Sequence, residues 1–196
     1  MNLTLDQLFQ MEMDQLQKEH GRVPDPNHWR WSPFDIRKWD EMLTVAIDYY
    51  RSADTHSPSP ISIAEAGSGI GTKLRRAKDR GLTEFGYEFN DEYLVMAREL
   101  DVACEKRDLG DPDNQPAWAA YDIVYLARPF KDDFKESAWE CSVQEDMRPG
   151  AVLISTFAAV KPYQWTCLYR GTYRGVWVKP VTMPDAATML QNVSVP

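Results

Sequence analysis

The spacing of hydrophobic positions changes character near residue 60. Upstream, Leu5, Leu8, Phe9 and Leu16 fall on one face of a helix, and Ile36, Trp39, Leu43, Ala46 or Ile47, and Tyr50 fall on one face of a second. The second helix carries a start signal: Ser32 can cap it, Pro33 suits its first position, and Asp35 sits well at the positive end of its dipole. Between the helices, Pro24, Pro26, Trp29 and Trp31 predict an ordered loop, since tryptophans are costly to leave in water. Residues 52–60, SADTHSPSP, have the composition of a linker. Downstream, short apolar runs at 61–66, 84–89, 103–108, 121–127 and 151–158 alternate with helical stretches at 70–80, 91–100 and 132–147. That alternation predicts an α/β fold: a mostly parallel, Rossmann-like sheet with helices on both faces. Two further runs, 163–169 and 173–178, flank Gly171 and predict a C-terminal antiparallel hairpin. The organisation read from the pattern is an N-terminal helical extension over 1–51, a linker over 52–60 and one domain over 61–196.

Composition narrows the class. A chain of 196 residues has room for one core of good size plus an appendage. No stretch approaches the roughly 18 apolar residues of a membrane span, and the first twenty residues lack the basic and apolar regions of a secretory signal, so a soluble, cytoplasmic protein is expected. Cys104, Cys141 and Cys167 are odd in number and widely spaced, which predicts reduced thiols, with Cys104 and Cys141 buried as small hydrophobes. His20, His28 and His56 have no carboxylate at ligand spacing, so no metal is expected. A net charge of -8 argues against a protein built to grip nucleic acid. The dense basic group Lys73, Arg75, Arg76, Lys78 and Arg80 spreads around one helix and is expected to be a solvated surface.

The chemistry concentrates between the first predicted strand and its helix, at Glu65-Ala66-Gly67-Ser68-Gly69-Ile70-Gly71-Thr72. Glycines there allow a sharp turn and a close approach of backbone to ligand, and the helix start behind them offers N–H donors and partial positive charge. Ser68 is not a nucleophile elbow, because no glycine stands two positions before it.

These residues resemble the first motif of the class I S-adenosylmethionine-dependent methyltransferases, an acid followed by Gly-x-Gly-x-Gly, at Glu65, Gly67, Gly69 and Gly71. A dinucleotide fingerprint would place its third glycine one position later, at Thr72. The resemblance covers roughly residues 60–160 and implies S-adenosylmethionine as cofactor. It implies that Glu65 and the turn Gly67, Ser68, Gly69 and Gly71 cradle the cofactor. Glu88, ending the second strand, would accept from both ribose hydroxyls, Phe89 would lie against the adenine, and Asp108 with Leu109 would meet the adenine edge. Asp108 before Leu-Gly-Asp-Pro is also good turn chemistry.

The implied reaction is transfer of a methyl group to an acceptor the residues do not identify, a small molecule or protein being favoured. Methyl displacement can be accelerated by positioning alone, so no dedicated catalytic side chain is expected. The end of the fourth strand reads Ala127-Arg128-Pro129-Phe130, without the Asn or Asp and paired prolines of base-amino methyltransferases, which argues against methylation of DNA bases. Phe130 is a candidate for packing against the substrate. Arg128 either pairs with an acidic substrate or extends to the surface. The helical extension, with Trp29 and Trp31, is the candidate substrate-side lid. A non-catalytic module that binds the same cofactor for regulation or scaffolding stays open, as do a nucleotide-dependent oxidoreductase on the same fold and the oligomeric state.

Overall fold

The computed structural model describes residues 3–20, 34–52, 60–156, 162, 164–172 and 174–181. Strands β1 (Ser62–Ala66), β2 (Thr83–Glu88), β3 (Cys104–Lys106), β4 (Ile123–Leu126), β5 (Val152–Thr156), β6 (Thr166–Gly171) and β7 (Arg174–Val178) form one sheet in the order β3-β2-β1-β4-β5-β7-β6. The first five run parallel, and β7 pairs antiparallel with both β5 and β6. The C-terminal hairpin therefore inserts its second strand against β5 and leaves its first at the edge. Strand order reverses between β1 and β4, so a crevice opens at the carboxyl ends of these two strands, where open α/β sheets bind ligands.

The helices are α1 (Leu5–His20), α2 (Ile36–Ser52), α3 (Thr72–Asp79), α4 (Asp91–Glu99) and α5 (Asp133–Asp146). Alternation along the strands divides the core in two. Ile63, Ile123, Tyr125, Val152, Ile154, Val176 and Val178 meet Trp39, Met42, Leu43, Ala46 and Ile47 of α2 and Leu74 and Ala77 of α3. On the other face Ala64, Ala66, Val124, Leu126, Leu153 and Trp177 meet Trp118 and the Trp139, Val143 and Met147 stripe of α5. Helix α2 thus shares one core with the sheet.

Four local expectations change. Helix α2 begins at Ile36 with Asp35 as its cap, the carboxylate accepting from Arg37 N at 3.0 Å; Ser32 and Pro33 lie outside the described residues. Strand β3 ends at Lys106, leaving Asp108 in the turn that follows. Cys141 is exposed, because α5 turns Glu136, Trp139, Glu140 and Val143 inward and Cys141 outward; Cys104 is half-buried. The basic group on α3 is a docking surface: Arg76 and Arg80 both grip Asp40 of α2, at 2.8 and 3.1 Å, and Lys73 grips Glu12 of α1 at 2.7 Å. Arg75 pairs with Asp79 and donates to Leu100 O, and Lys78 pairs with Asp101.

Helix α1 inverts the expected pattern. Of Leu5, Leu8, Phe9 and Leu16 only Leu8 is fully buried, and its companions on the hidden face are Glu12, Gln15 and Glu19. The reason is what it packs on: Thr72 and Lys73, the first turn of α3, take Glu12, so the inner face of α1 is matched to polar groups.

Gly86 of β2 tests this packing. A Cβ there would stand 2.6 Å from both Cys104 Sγ and Ser68 Oγ and 2.8 Å from Leu74 Cδ1. Overpacking of this kind costs about 1–3 kcal/mol. Gly86→Ala is expected to lower the midpoint of urea unfolding accordingly, and a midpoint equal to wild type would show that the neighbours yield freely.

Candidate functional site

The shape of the turn out of β1 is set by backbone geometry. Gly67, Gly69 and Gly71 all have positive φ, at 69°, 54° and 80°, where a side chain is strained. Gly67 N and Ser68 N both donate to Tyr87 O, at 2.8 and 3.0 Å, which ties the turn to the end of β2. Gly71 precedes α3, and a Cβ there would meet Ala97 Cβ of α4 at 3.0 Å. Gly67 faces the loop after β4: its Cβ would lie 3.8 Å from Pro129 Cβ.

Glu88 completes this arrangement. One carboxylate oxygen accepts from Gly69 N at 2.7 Å, and the other accepts from Phe89 N and Asn90 N, each at 2.8 Å. Three backbone donors thereby fix the carboxylate at the mouth of the glycine turn. Phe89 beside it is 44% exposed, an uncommon state for a large apolar ring, with Lys106 Nζ 6.0 Å from its centroid. Asp108 is exposed and accepts from Gly110 N at 2.8 Å, the turn chemistry anticipated for it, while Leu109 is buried.

Beneath the turn lies a buried polar group that pattern reading did not find. Glu65 is 2% exposed and its Oε2 has no hydrogen-bond partner among the described residues. Burial pushes its carboxyl up to about 8; Lys73 draws it back, and Glu12 and Glu88 push it further up. Burial presses the Lys73 ammonium down, but Glu12, Tyr125 and Glu65 outweigh this and hold it above its ordinary range. Tyr125, paired with Thr156 Oγ1 at 3.1 Å, is raised by burial in the same way. Glu12 eluded prediction because a polar stripe on an amphipathic helix is ordinarily its wet face. The only trace in the sequence is that residues 8, 12, 15 and 19 share one side of α1.

The loop after β4 approaches from the other side. Arg128 adopts a positive φ of 51° and pairs with Asp133, which is itself exposed. Phe130 is half-buried, edge-on to Trp139 at 5.5 Å, and its N–H donates to Glu136 at 2.8 Å. Glu136 is fully buried; burial raises its carboxyl to about 8, the Phe130 N–H lowers it and Glu140 raises it. The structure therefore brings Glu65, the 67–71 turn, Glu88 and Phe89 together, with Arg128 and Phe130 on the β4 side of the crevice. Trp29 and Trp31 lie outside the described residues. No group of three or more metal-ligating side chains occurs among the described residues, and no described helix is long and apolar enough to cross a membrane.

No protein-family model matches the sequence, and no curated protein matches it. Solved structures do. An RNA methyltransferase from Salinibacter ruber, in complex with S-adenosyl-L-homocysteine, aligns with 79% of this chain and 97% of its own at 18% identity, with a TM-score of 0.56. TehB from Haemophilus influenzae aligns over 68% of this chain and 61% of its own at 11% identity, TM-score 0.49. CalS10, an amino pentose methyltransferase from Micromonospora echinaspora bound to S-adenosylmethionine, aligns over 74% and 67% at 17% identity, TM-score 0.47. The Salinibacter likeness establishes the fold, the class I Rossmann-like methyltransferase sheet.

The buried carboxyls set a pH dependence. Glu65 and Glu136 hold protons in the folded protein up to about pH 8, whereas unfolded carboxyls release theirs near pH 4.3. The folded state therefore binds more protons between these limits, and the stabilisation present below the unfolded range is lost as pH rises through 8. Melting temperature is expected to fall from pH 6 to pH 9, with a smaller fall in the Glu65→Gln, Glu136→Gln double variant. An equal fall in both proteins would remove these two groups as the cause.

Proposed function

We propose that the protein is an S-adenosylmethionine-dependent methyltransferase that works by positioning its acceptor. The observation that carries this reading is the junction of Gly69 N with the Glu88 carboxylate, which joins a left-handed glycine turn and an acid at the carboxyl ends of β1 and β2 in this fold. The cofactor suits the residues present: the buried Oε2 of Glu65 lacks a donor among the described residues, and the ring of Phe89 is 44% exposed beside Glu88, where an adenine would lie. In this reading the turn from Gly67 to Gly71 receives the amino-acid end, Glu88 accepts from the ribose, and Phe89, Asp108 and Leu109 border the adenine. S-adenosylmethionine supplies an electrophilic methyl on a sulfonium. What the chain contributes is orientation and exclusion of water, worth about 7–11 kcal/mol when reactants are well aligned.

The acceptor in this reading is a small molecule or a protein. The net charge of -8 supports that choice, as does the use of the α3 basic residues in internal ion pairs, which removes the densest basic cluster as a phosphate-binding face. Phe130, beside Gly67 through Pro129, is the residue assigned to the acceptor. The free thiols of Cys104, Cys141 and Cys167 fit a cytoplasmic setting. Helix α1 is the lid, because its inner face meets the first turn of α3 beside the glycine turn while α2 belongs to the core.

Titration calorimetry with S-adenosylhomocysteine tests the cofactor. Wild type is expected to bind, and Gly69→Val and Glu88→Ala each to weaken binding by about tenfold or more, since a branched residue at positive φ costs roughly 1–2 kcal/mol in strain alone. Unaltered affinity in both variants would refute the placement. Removal of residues 1–20 is expected to preserve cooperative unfolding and to weaken that binding, whereas removal of 1–51 should abolish cooperative unfolding by stripping Trp39, Met42, Leu43 and Ile47 from the core. A folded protein lacking α1 with full affinity and full transfer of a tritiated methyl to its acceptor would end the lid assignment.

A further inference from the structure

Two buried carboxylate oxygens, Glu12 Oε2 on α1 and Glu65 Oε2 on β1, have no hydrogen-bond partner among the described residues. They belong to one electrostatic group: Glu65 feels Lys73, Glu12 and Glu88, and Lys73 feels Glu12, Tyr125 and Glu65. Within this group Lys73 is the one ammonium against three carboxyl side chains. Its Nζ lies 2.7 Å from Glu12 Oε1, which also accepts from Thr72 Oγ1 at 2.6 Å. Glu12 is thus anchored by one oxygen and presents the other. Glu12 is 0% exposed and Glu65 2% exposed, so bulk water does not serve either unpaired atom. A buried acceptor left unmade is costly, more so when charged, and two in one group mark a place that a further cationic donor would complete.

We infer that Glu12 is a specificity-determining residue for the amino-acid end of the cofactor, its Oε2 joining Glu65 Oε2 to receive the α-ammonium. This rests on the S-adenosylmethionine reading. An ammonium brings three N–H donors and a positive charge to two acceptor atoms that lack a donor among the described residues. The second acceptor comes from the N-terminal helix, so the pocket recognises an amine only when α1 is seated. Thr72 and Lys73 are positioning residues: both hold Glu12 by its other oxygen, and both stand in the first turn of the helix that follows the glycine turn.

Calorimetry on the full chain with two ligands tests this, S-adenosylhomocysteine and the analogue in which hydrogen replaces its amine. Wild type is expected to prefer the amine-bearing ligand by about tenfold or more, as charge-assisted hydrogen bonds to a buried carboxylate require. Glu12→Gln keeps an amide oxygen for Thr72 and Lys73 but turns the second position into a donor. It should remove most of that preference by weakening S-adenosylhomocysteine alone, leaving the deaminated analogue within about twofold of wild type. Equal weakening of both ligands would assign Glu12 a packing role and overturn the inference, as would unchanged affinity for S-adenosylhomocysteine. Should Glu12→Gln fail to fold by near-ultraviolet circular dichroism, the wild-type comparison still decides: binding without preference for the amine overturns the inference and leaves the cofactor reading intact. A wild type that binds neither ligand overturns both.

Discussion

The turn that leaves β1 must reverse direction within five residues while its amides stay bonded to the end of β2, and three left-handed glycines meet that constraint. Gly67 and Ser68 donate to Tyr87 O and Gly69 donates to Glu88. These bonds couple the conformation of the turn to the register of β1 against β2, in which Ala66 stands beside Tyr87. A shift of either strand would tear the turn from its acceptors. Helix α3 starts where the turn releases the chain, and everything that docks on α3 inherits its position from the same three amides.

Electrostatics then does work that a hydrophobic count would miss. Asp40 receives Arg76 and Arg80, fastening α2 to α3 alongside the apolar contacts of Trp39 and Leu43. For α1 the balance differs: Leu8 is its one fully buried apolar residue, and Glu12 supplies the bonds to α3. The two N-terminal helices are therefore held by different forces, although both look amphipathic in sequence.

The sheet was legible because buried parallel strands are short continuous apolar runs, as in Ile123 to Leu126 and Val152 to Ile154, bounded by turn residues. The glycine turn was legible because its conformation excludes other residues, and Glu88 because it ends the next strand. Periodicity could not reveal polarity facing inward. Glu12, Lys73 and Glu136 are ionisable side chains, so a rule that sends such residues to water misplaces all three, and the α3 cluster reads as solvated for the same reason. Cys141 shows the converse error, since a small apolar residue on the outer face of α5 satisfies no packing requirement.

The polar inner face of α1 bears on how the helix would move in its proposed role as a lid. A helix seated through hydrocarbon resists lifting in proportion to the oily area it wets, at about 25 cal/mol per Å². Lifting α1 instead uncovers Glu12, Gln15 and Glu19, whose hydration repays much of the separation. In the proposed lid role its opening would be governed by whichever cations stand opposite those carboxylates, so that the chemistry of the crevice itself, rather than the bulk of the helix, would set how long the entrance stays shut.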